Sequence, residues 1–423
     1  MLISNLSEGQ KEVIYAIEGQ DNVFVSGPAG VGKSYLLSYI KKNYANAGLA
    51  LTASTGIAAV NIGGQTLHSW AGIGLGNLPV DEIIANLMSP KMSRIRRRIR
   101  MAKILAIDEI SMIGSKLFDL LDTVFCAVRK DDRFFGGMQL LVFGDFLQLP
   151  PISNDFSGDE IFAFQSKAWR RGNFKNVILN QVFRQKDASF VNLLNNIRFG
   201  NPSVDDCQLL ASRQKMPDLL DEVKPTIIVT HNYLVEKINR KKIAQIDGKE
   251  HHFEAIFAGD RSKYEFLMKN CLATTNLVLK IGCQVMMLKN TYQSQGVSNG
   301  SIGVIRGFSV KKGYPIVEFA NGEIITIAYE EWSLDEYDEV KKQFKMRAKM
   351  AQIPLNLAWA ITVHKSQGMT LDAIYCDLAN SFADGQIYVA LSRVKSLDGL
   401  FIKGLDLSRL SVDERILRFY EGL

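Results

Sequence analysis

The stretch GPAGVGKS occupies residues 27–34 and follows a short apolar run at residues 22–26. Leucine and isoleucine recur at helical spacing over residues 36–40, directly after it. A glycine-rich loop between a buried strand and a helix is the setting in which the pattern G-x-x-x-x-G-K-[ST] binds phosphate. The alternative is an ordinary glycine-rich turn, but every anchor position of the pattern is present. The stretch therefore predicts a nucleotide-binding P-loop in an α/β domain.

Each position of this loop suits a phosphate ligand. Gly27, Gly30 and Gly32 allow backbone N–H groups to turn towards phosphate oxygens, because a Cβ would obstruct the required dihedral angles. The Lys33 ammonium would bind the β- and γ-phosphates, and the Ser34 hydroxyl would ligate Mg²⁺. The other loop positions expected to border the nucleotide are Pro28, Ala29 and Val31. The loop alone does not distinguish a kinase, a GTPase, a remodelling ATPase and a motor.

The composition is that of a soluble globular protein of two or three domains, with 423 residues, 47% hydrophobic and 22% charged. No apolar run approaches the roughly 20 residues of a membrane span, and residues 1–14 lack a secretory signal pattern. Five widely spaced cysteines indicate neither a disulfide framework nor a zinc site. The net charge of +6 permits a polyanionic partner without demonstrating one. We expect a cytoplasmic protein, associated with the nucleoid if its host is a bacterium or a phage.

Two further apolar strands end in polar residues. Residues 103–107 lead to Asp108, the expected second contact to Mg²⁺, and to Glu109, which is placed to act as the general base. Residues 139–144 lead to Gln148, whose amide could contact the γ-phosphate at the carboxyl edge of the sheet. The predicted strands of one doubly wound parallel sheet are residues 22–26, 50–53, 103–107, 139–144 and 176–179.

Three local patterns leave two interpretations open. Gln10 lies three residues after Ser7, as in a helix capping box, but its amide could also read the edge of an adenine. His68 and Trp70 favour packing over ligand binding. An amphipathic helix at residues 88–100 presents either a solvated surface or a strip for nucleic-acid backbone. The arginines on its polar face are Arg94, Arg96, Arg97, Arg98 and Arg100.

A second α/β pattern, without its own P-loop, occupies the C-terminal half of the chain. Its strands are expected near residues 226–230, 373–376 and 399–402. Between them, hairpin signals at residues 312–313 and 321–322 separate short apolar runs. These signals predict a small β-barrel of SH3 type inserted at residues 251–352. The charged residues 330–350 predict an exposed, mobile connection.

Eight stretches, in this order, resemble the motifs of superfamily 1 helicases, specifically the petite-integration-frequency (PIF) family of the 5′-to-3′ branch, which also contains RecD-like proteins. They are LSEGQ, GPAGVGKS, TASTGIAA, IDEISM, GDFLQLPP, VFRQ, AITVHKSQGMTLD and YVALSRV. The resemblance runs from Leu6 to about Ile402, and residues 187–200 look like the signature that separates this family from RecD-like relatives.

The resemblance implies an α/β fold of two RecA-like domains with doubly wound parallel sheets. It implies a small helical or loop insertion in the first domain and an SH3-like β-barrel insertion in the second. The implied division is a first RecA-like domain at residues 1–66 and 101–184, a wedge-type insertion at 67–100, a second RecA-like domain at 185–250 and 353–423, and an accessory domain at 251–352.

The resemblance also implies roles for single residues. Gln10 would read the adenine, and Gly368 would approach the γ-phosphate of ATP. Arg184 and Arg393 would be arginine fingers that reach the nucleotide from the second lobe, and they join the catalytic set of Lys33, Asp108, Glu109 and Gln148. Single-stranded DNA would be held by Thr55, Gly56, His68, Asn232, Thr362, His364, Lys365 and Ser366.

Together these features predict an ATP- and Mg²⁺-dependent helicase that moves on single-stranded DNA and unwinds duplex DNA. The resemblance alone implies the 5′-to-3′ direction, the unwinding of forked or G-quadruplex DNA and a role in repair, recombination, replication or telomere-type maintenance. The expected partners are single-stranded DNA and its junctions with duplex, and the expected state is a monomer that could form an oligomer on DNA. The alternative is a P-loop ATPase that remodels a protein or senses a ligand without strand separation. A nucleotide kinase is a weaker third option. The second sheet without a phosphate loop favours the motor.

Overall fold

Two parallel β-sheets organise the computed structural model, which describes residues 3–74, 76–151, 161–215, 223–229, 231–338, 343–378, 385–406, 410 and 412–423. The helices and strands of the first lobe are, in chain order, α1 (Glu8–Glu18), β1 (Val23–Ser26), α2 (Lys33–Asn43), β2 (Leu49–Ala53), α3 (Gly56–Asn61), β3 (Gln65–Thr66), α4 (Leu67–Ala71), α5 (Val80–Met88), α6 (Ser93–Met101), β4 (Ile104–Asp108), α7 (Ser115–Arg129), β5 (Gln139–Phe143), α8 (Lys167–Gly172) and β6 (Lys175–Ile178). The strand order is β3-β2-β4-β5-β1-β6, and every pair is parallel.

The central strand β1 shows why this sheet forms. All of its residues are buried, as expected for a parallel strand covered on both faces. Val23 and Val25 pack in the core that includes α1 and α2, whereas Phe24 points to the opposite core, where it contacts the rings of Phe146 and Trp169. The five strands expected from the sequence are confirmed, and the short β3 extends the sheet at one edge.

The insertion at residues 67–100 is helical and consists of α4, α5 and α6. Ile83 and Leu87 of α5 and Ile99 of α6 are buried in one core with residues of α7. The amphipathic helix expected over residues 88–100 is confirmed only from Ser93, where α6 begins, because Met88 ends α5 and Pro90 starts a separate 3-10 turn. This packing fixes the insertion against the first lobe.

The chain next enters the second lobe and then the accessory domain. The second lobe begins with α9 (Ala188–Arg198), α10 (Val204–Ser212), β7 (Thr226–Val229) and α11 (Asn232–Ala244). The accessory domain contains β8 (His251–Glu254), β9 (Ile256–Gly259), α12 (Tyr264–Asn270), β10 (Asn276–Leu279), β11 (Gln284–Met287), β12 (Ile302–Phe308), β13 (Pro315–Phe319), β14 (Ile324–Thr326), β15 (Glu330–Asp338), β16 (Gln343–Gln352) and β17 (Leu355–Leu357). Its main sheet has the antiparallel order β14-β13-β12-β11-β17, which confirms the β-rich insertion.

The expectation of an exposed, mobile connection at residues 330–350 was wrong. Strands β15 and β16 form a long antiparallel hairpin, and β9 pairs with β16 as a third strand. Trp332 and Leu334 of β15 and Ala348 and Met350 of β16 are buried together. These residues alternate with polar or charged ones, so the high charge of the segment concealed a period of two residues, which is that of a half-buried strand.

The chain returns to the second lobe through β18 (Ala360–Thr362), α13 (Val363–Ser366), β19 (Ile374–Leu378), α14 (Gln386–Leu391), β20 (Leu400–Leu405) and α15 (Glu414–Glu421). The second sheet is parallel, in the order β18-β7-β19-β20. Strands β7, β19 and β20 were expected from the sequence, whereas β18 was not. Helix α15 instead packs on the first lobe, where Phe419 lies against Phe146 and Phe164. Of the helices in the described ranges, none combines the length and the apolar character that a membrane span needs.

Candidate active site

The P-loop at residues 27–34 connects the end of β1 to the start of α2. Gly27 has a φ of +140°, and a Cβ at this position would stand 2.3 Å from the carbonyl oxygen of Leu179. Gly32 has a φ of +84° and is the N-cap of α2. Both positions therefore require glycine. The loop is held at the N-terminus of an 11-residue helix, whose partial positive charge favours a bound anion.

Lys33 extends back over this loop. Its ammonium donates hydrogen bonds to the carbonyl oxygens of Gly27, at 2.6 Å, and Pro28, at 3.0 Å. Burial lowers the pKa of Lys33, while the negative charges of Asp145 and Glu109 oppose this shift. The cation therefore lies among carboxylates at the mouth of the loop, where a phosphate would also meet it.

Asp108 and Glu109 lie side by side at the end of β4. The backbone N–H of Glu109 donates to Asp108 Oδ1 at 3.0 Å, and Glu109 adopts a left-handed φ of +54° that turns the chain sharply. Burial, followed by the charge of Glu109, raises the pKa of Asp108 to about 8, and burial also raises the pKa of Glu109. Asp108 is buried and Glu109 is partly exposed to the cavity. Carboxylate oxygens in such a pair are donors that a divalent cation would hold in the ionised state, so this set fits Mg²⁺.

Gln148 follows β5 and lies beside a buried ion pair. Its Nε2 donates to Asp145 Oδ2 at 3.1 Å. Arg198 of α9 donates to the same carboxylate twice, from Nε at 2.9 Å and from Nη2 at 2.8 Å. Burial alone would raise the pKa of Asp145, but the charge and hydrogen bonds of Arg198 outweigh it and hold this pKa below its usual value. The loop that carries Gln148 is thus bound to a helix of the second lobe.

The two arginines that the resemblance singled out lie close together. Arg184 donates from Nε to Thr370 Oγ1 at 3.0 Å and from Nη1 to the carbonyl oxygen of Ser392 at 2.8 Å. Arg393, at the end of α14, donates from Nε to the carbonyl oxygen of Val389 at 2.6 Å. Burial lowers the pKa of Arg184 to about 9 and that of Arg393 to about 10, so both remain cations at neutral pH.

A cavity of about 300 Å³ brings these groups together. From the first lobe it is lined by Ala29, Gly30, Val31, Gly32, Lys33, Ser34, Tyr35, Glu109 and Gln148. The remaining lining residues are Phe183, Arg184, Gln367, Gly368, Thr370 and Arg393. The structure therefore gathers the P-loop, one carboxylate, the Gln148 amide and two guanidinium groups around one space. Their catalytic roles stay predictions.

Gln10 lies at the edge of this arrangement. Its Oε1 accepts from the backbone N–H of Ser7 at 3.0 Å, and the Ser7 hydroxyl accepts from the Gln10 N–H at 3.4 Å, which completes the capping box. Its Nε2 donates to the carbonyl oxygen of Gly32 at 3.4 Å. The amide thus faces the P-loop, and its role in reading adenine stays a prediction.

A second cavity, of about 780 Å³, adjoins the first and shares with it residues such as Glu109 and Gln367. Thr55 lines it from the first lobe, His364 from the second lobe and Trp332 from the accessory domain. Among the buried side-chain atoms of the described residues, Gln367 Nε2 is one that has no hydrogen-bond partner. An amide at the boundary of two cavities is suited to sense the contents of both.

The predicted DNA contacts at Thr55 and Gly56 lie beneath the accessory domain. Thr55 Oγ1 accepts from the backbone N–H of Ala58 at 3.2 Å and so caps α3. A Cβ at Gly56 would stand 1.6 Å from Asn270 Oδ1, because the end of α12 packs directly on this glycine. The accessory domain therefore covers the turn that was expected to hold a DNA phosphate.

The remaining predicted DNA contacts are dispersed. Thr362 Oγ1 accepts from the Lys365 N–H at 3.2 Å, and the buried Ser366 hydroxyl donates to the carbonyl oxygen of Val363 at 2.7 Å. These hydroxyls shape the turn from β18 into α13, and their contact with DNA stays a prediction. Asn232 is exposed in the first turn of α11. His68 is half-buried on α4 and lines neither of the two cavities.

Comparison with known proteins identifies the family. Residues 5–207 match the PIF1-like helicase family, and residues 264–308 match the 2B domain of the DNA helicase Pif1. The chain is 30% identical to Bacteroides sp. Pif1 in complex with ADP-AlF4, with a TM-score of 0.87 over 100% of this chain and 97% of that one. The chain belongs to the PIF1-like helicase family.

Two further relatives of this PIF1-like chain are informative. The human ATP-dependent DNA helicase PIF1 is 39% identical over 419 residues, which cover 99% of this chain and 64% of that protein. Bacteroides Pif1 bound to ssDNA is 31% identical over 100% of this chain and 97% of that one, with a TM-score of 0.64. The structure is thus more similar to that of the nucleotide-analogue complex and of unliganded Bacteroides sp. Pif1, with TM-scores of 0.87 and 0.85, than to that of the ssDNA complex.

The arginine face of α6 in this PIF1-like chain is partly committed to structure. Arg96 donates to the carbonyl oxygens of Leu87 and Ser89, and Arg98 donates from Nε to that of Trp70 at 2.8 Å. Arg100 donates to the carbonyl oxygen of Val128. These guanidinium groups satisfy carbonyl oxygens at or near the C-terminal ends of α4, α5 and α7, so part of the arginine face has a structural role.

Several residues at the site were missed in the sequence. Phe183 is 54% exposed and lines the first cavity together with Tyr35, which places two aromatic rings beside the P-loop. Tyr388 of α14 accepts from the backbone N–H of Ala29 at 2.8 Å. Phe183 immediately precedes Arg184 in VFRQ, so its position was a usable signal. The sequence around Tyr388 gave no such signal, because a buried aromatic residue on a helix most often serves packing.

Proposed function

We propose that this chain is an ATP-driven motor that moves 5′ to 3′ along single-stranded DNA and unwinds duplex DNA. The observation that carries the proposal is the cavity at which a P-loop from one lobe meets Arg184 and Arg393, which are bonded to the other lobe. A nucleotide at such a boundary contacts both lobes, and a contact that is lost on hydrolysis shifts their equilibrium. The direction of movement and the preference for forked or G-quadruplex DNA are inferred from the family alone.

The residues of the chain divide the work of hydrolysis. ATP with Mg²⁺ supplies the free energy of phosphoryl transfer. Ser34 and Asp108 are the residues that would hold the metal, and Lys33 neutralises phosphate charge at the loop. Glu109, at the border of the two cavities, orients and deprotonates the attacking water. The walls of the cavity keep bulk solvent away from the nucleotide and leave room for the attacking water. An electrostatic contact in such a site is stronger than in bulk solvent.

The guanidinium groups of Arg184 and Arg393 make the largest single contribution to the proposed rate of phosphoryl transfer. Arginine fingers contribute a factor of ~10³–10⁵ to the rate of phosphoryl transfer. Arg393 is anchored by the carbonyl oxygen of Val389 and Arg184 by that of Ser392, so both are oriented in advance. Since Arg393 and its anchor belong to the second lobe, its charge reaches the nucleotide only when the lobes are closed, whereas Arg184 lies against Gly30 of the P-loop and bonds across the boundary to Ser392.

The second cavity is the proposed path of the DNA strand. Thr55 and His364 approach it from different lobes, so a strand bound there is held on both sides. Thr362 and Ser366 position the turn that carries His364 and Lys365, while Asn232 and His68 extend the path outside the cavity. Contacts of this kind are largely electrostatic, and binding therefore weakens as salt rises.

The proposed domain division is the one that the resemblance implies; in the structure, β17 pairs within the accessory sheet and α15 packs on the first lobe. Residues 1–66 and 101–184 form the first RecA-like domain, 67–100 the wedge-type insertion, 185–250 and 353–423 the second, and 251–352 the accessory domain. We propose single-stranded DNA and its junctions with duplex as partners, and a monomer as the basic unit. A role in DNA repair, recombination or replication follows from unwinding.

The deciding experiment compares ATP hydrolysis with and without oligo-dT, followed by unwinding of duplexes that carry a single-stranded tail at either the 5′ or the 3′ end. If the chain is such a motor, oligo-dT should stimulate ATP hydrolysis many-fold, and only the duplex with the 5′ tail should be unwound. Hydrolysis that ignores DNA but responds to a protein would instead support the remodelling ATPase.

A further inference from the structure

Asp145 is the centre of a buried hydrogen-bond network that reaches beyond the ion pair with Arg198. Its side chain is 0% exposed. Besides the two bonds from Arg198 and one from Gln148, it accepts one from the hydroxyl of Tyr420, where the oxygen lies 3.0 Å from Asp145 Oδ1. The backbone N–H of Leu147 donates to the same Oδ1 at 3.2 Å. All of these donors therefore restrain the same carboxylate, that of Asp145.

The hydroxyl of Tyr420 has three partners, and their chemistry fixes the direction of each bond. An ionised carboxylate can only accept, so the single proton of the Tyr420 hydroxyl must point to Asp145. The Ser26 hydroxyl, at 2.6 Å, and the backbone N–H of Phe146, at 3.2 Å, then donate to the two lone pairs of the Tyr420 oxygen. Burial raises the pKa of Tyr420, which keeps this proton in place. The Tyr420 hydroxyl thus makes every hydrogen bond that it can, one as a donor and two as an acceptor.

The ring of Tyr420 is held from two sides. Its neighbour Phe419 stacks on Phe164 with ring centroids 4.3 Å apart and an angle of 15°, so α15 is fixed to the first lobe. On the other side, the guanidinium of Arg198 lies 5.4 Å from the centroid of the Tyr420 ring. Arg198 belongs to α9, which packs on the second lobe through Phe190 and Leu193. The hydroxyl thus lies where both lobes meet.

We infer that Tyr420 is a positioning residue for the γ-phosphate of ATP. Ser26 immediately precedes the P-loop, and Gln148 lines the nucleotide cavity, so the Tyr420 hydroxyl joins the two loops that border the phosphates. Because Asp145 can only accept, it obliges Gln148 to present Nε2 to it, which leaves the second N–H and Oε1 of this amide for the cavity. Tyr420 fixes the carboxylate and thereby the amide. The inference rests on the proposed ATPase site.

The test uses Tyr420→Phe, which keeps the ring and removes the hydroxyl. The matched control is Tyr44→Phe, because the Tyr44 hydroxyl also bonds a carboxylate, that of Glu18 at 3.4 Å, but lies away from the cavity. The first readout is the ratio of the Kd for ADP to the Kd for a non-hydrolysable ATP analogue, measured without DNA. We expect Tyr420→Phe to lower this ratio by about three- to tenfold, which corresponds to the net contribution of one ordinary intramolecular hydrogen bond. The control should leave it unchanged.

The second readout is kcat of DNA-stimulated hydrolysis, which we expect to fall by about tenfold in Tyr420→Phe. If the variant loses thermal stability but keeps both the Kd ratio and kcat, Tyr420 is merely structural and the inference fails. Should Tyr420→Phe not fold, Ser26→Ala removes one partner of the same hydroxyl from the other side and must lower the Kd ratio too.

The inference and the proposed function fail in different ways. A wild-type protein whose hydrolysis ignores DNA contradicts the motor, yet the Kd ratio, which needs no DNA, still decides the role of Tyr420. A wild-type protein with strong DNA stimulation and an unaltered Tyr420→Phe contradicts only the inference. The double variant Ser26→Ala/Tyr420→Phe adds a further condition: its loss must be smaller than the sum of the single losses, because the two groups share one bond.

Discussion

The ammonium of Lys41 lies 3.1 Å from the carboxylate of Asp335, and this ion pair joins the helix after the P-loop to the β15–β16 hairpin of the accessory domain. Lys41 also donates to the carbonyl oxygens of Ile62 and Gly63. Together with Asn270, which packs on Gly56, the pair holds the accessory domain over the turn where we expect DNA to bind. Binding of a strand there requires these contacts to open.

Loss of this ion pair should therefore raise the affinity for DNA. We expect Asp335→Asn to tighten binding of a fluorescent oligo-dT by up to about fivefold, because a partly exposed pair contributes about 1 kcal/mol or less. Lys41→Met separates this cause from simple charge. If the contact matters, both variants bind more tightly, whereas an effect of net charge alone would tighten Asp335→Asn and weaken Lys41→Met. Fluorescence anisotropy at fixed salt measures both.

Lys33→Ala should abolish ATP hydrolysis while DNA binding stays intact. The ammonium serves the phosphate loop, and the proposed DNA path runs through the second cavity, which Lys33 does not line. Steady-state hydrolysis and oligo-dT anisotropy are measured on the same preparation. Lys42→Ala, at an exposed position of the same helix, is the control and should leave both unchanged. Equal loss of hydrolysis and DNA binding in Lys33→Ala would contradict the division of labour.

Arg393→Ala and Arg393→Lys should leave ATP affinity nearly unchanged while turnover falls by ~10³ or more, the contribution of an arginine finger. The lysine variant keeps the charge but cannot reproduce the planar fork that bonds Val389 and the Ser392 hydroxyl. Stopped-flow nucleotide binding and single-turnover hydrolysis separate the two steps. Near-normal turnover in both variants would remove Arg393 from the proposed role.

Arg198→Met should destabilise the protein in a pH-dependent way. Removal of one partner of a buried pair typically costs about 3–5 kcal/mol, because the other charge is left uncompensated. In the wild type the pKa of Asp145 is depressed, so its stabilising contribution is full above the unfolded pKa of about 3.9 and declines as pH falls towards the folded pKa. In the variant, burial alone raises this pKa, and stability improves as acid protonates the carboxyl.

The difference in Tm between wild type and Arg198→Met should thus be largest near neutral pH and shrink towards pH ~4. Differential scanning calorimetry across this range measures it. Arg418→Met removes an exposed pair with Glu414 and should lower Tm little at any pH. A constant difference for Arg198→Met at every pH would show that Asp145 stays ionised in the variant and would contradict the linkage.

The sequence predicted the parts of the site that depend on local pattern. The P-loop, the strand that ends at Asp108 and the loop with Gln148 each follow a short apolar run, and parallel strands bring their carboxyl ends to one edge. Both RecA-like sheets and the β-rich insertion were predicted on the same basis. In each case the residues that decide the structure are neighbours in the chain.

The parts that could not be predicted depend on contacts between distant residues or on hidden periodicity. The bond between Ser26 and Tyr420 joins residues 394 positions apart, and no local pattern signals it. The cover of Gly56 by Asn270 is likewise a meeting of separate domains. Charged residues concealed the alternation in β15 and β16, and arginines such as Arg98 looked like a nucleic-acid surface although they satisfy backbone carbonyl oxygens.

Trp332 is buried in the β15–β16 hairpin and lines the second cavity. The ammonium of Lys289 lies over its ring, 4.7 Å from the centroid. Movement of the hairpin away from the first lobe would admit water to this indole and remove the cation. Indole emission depends on both, so the protein contains an intrinsic fluorophore beside the proposed path of the DNA strand. Opening on DNA could then be followed in real time without any label.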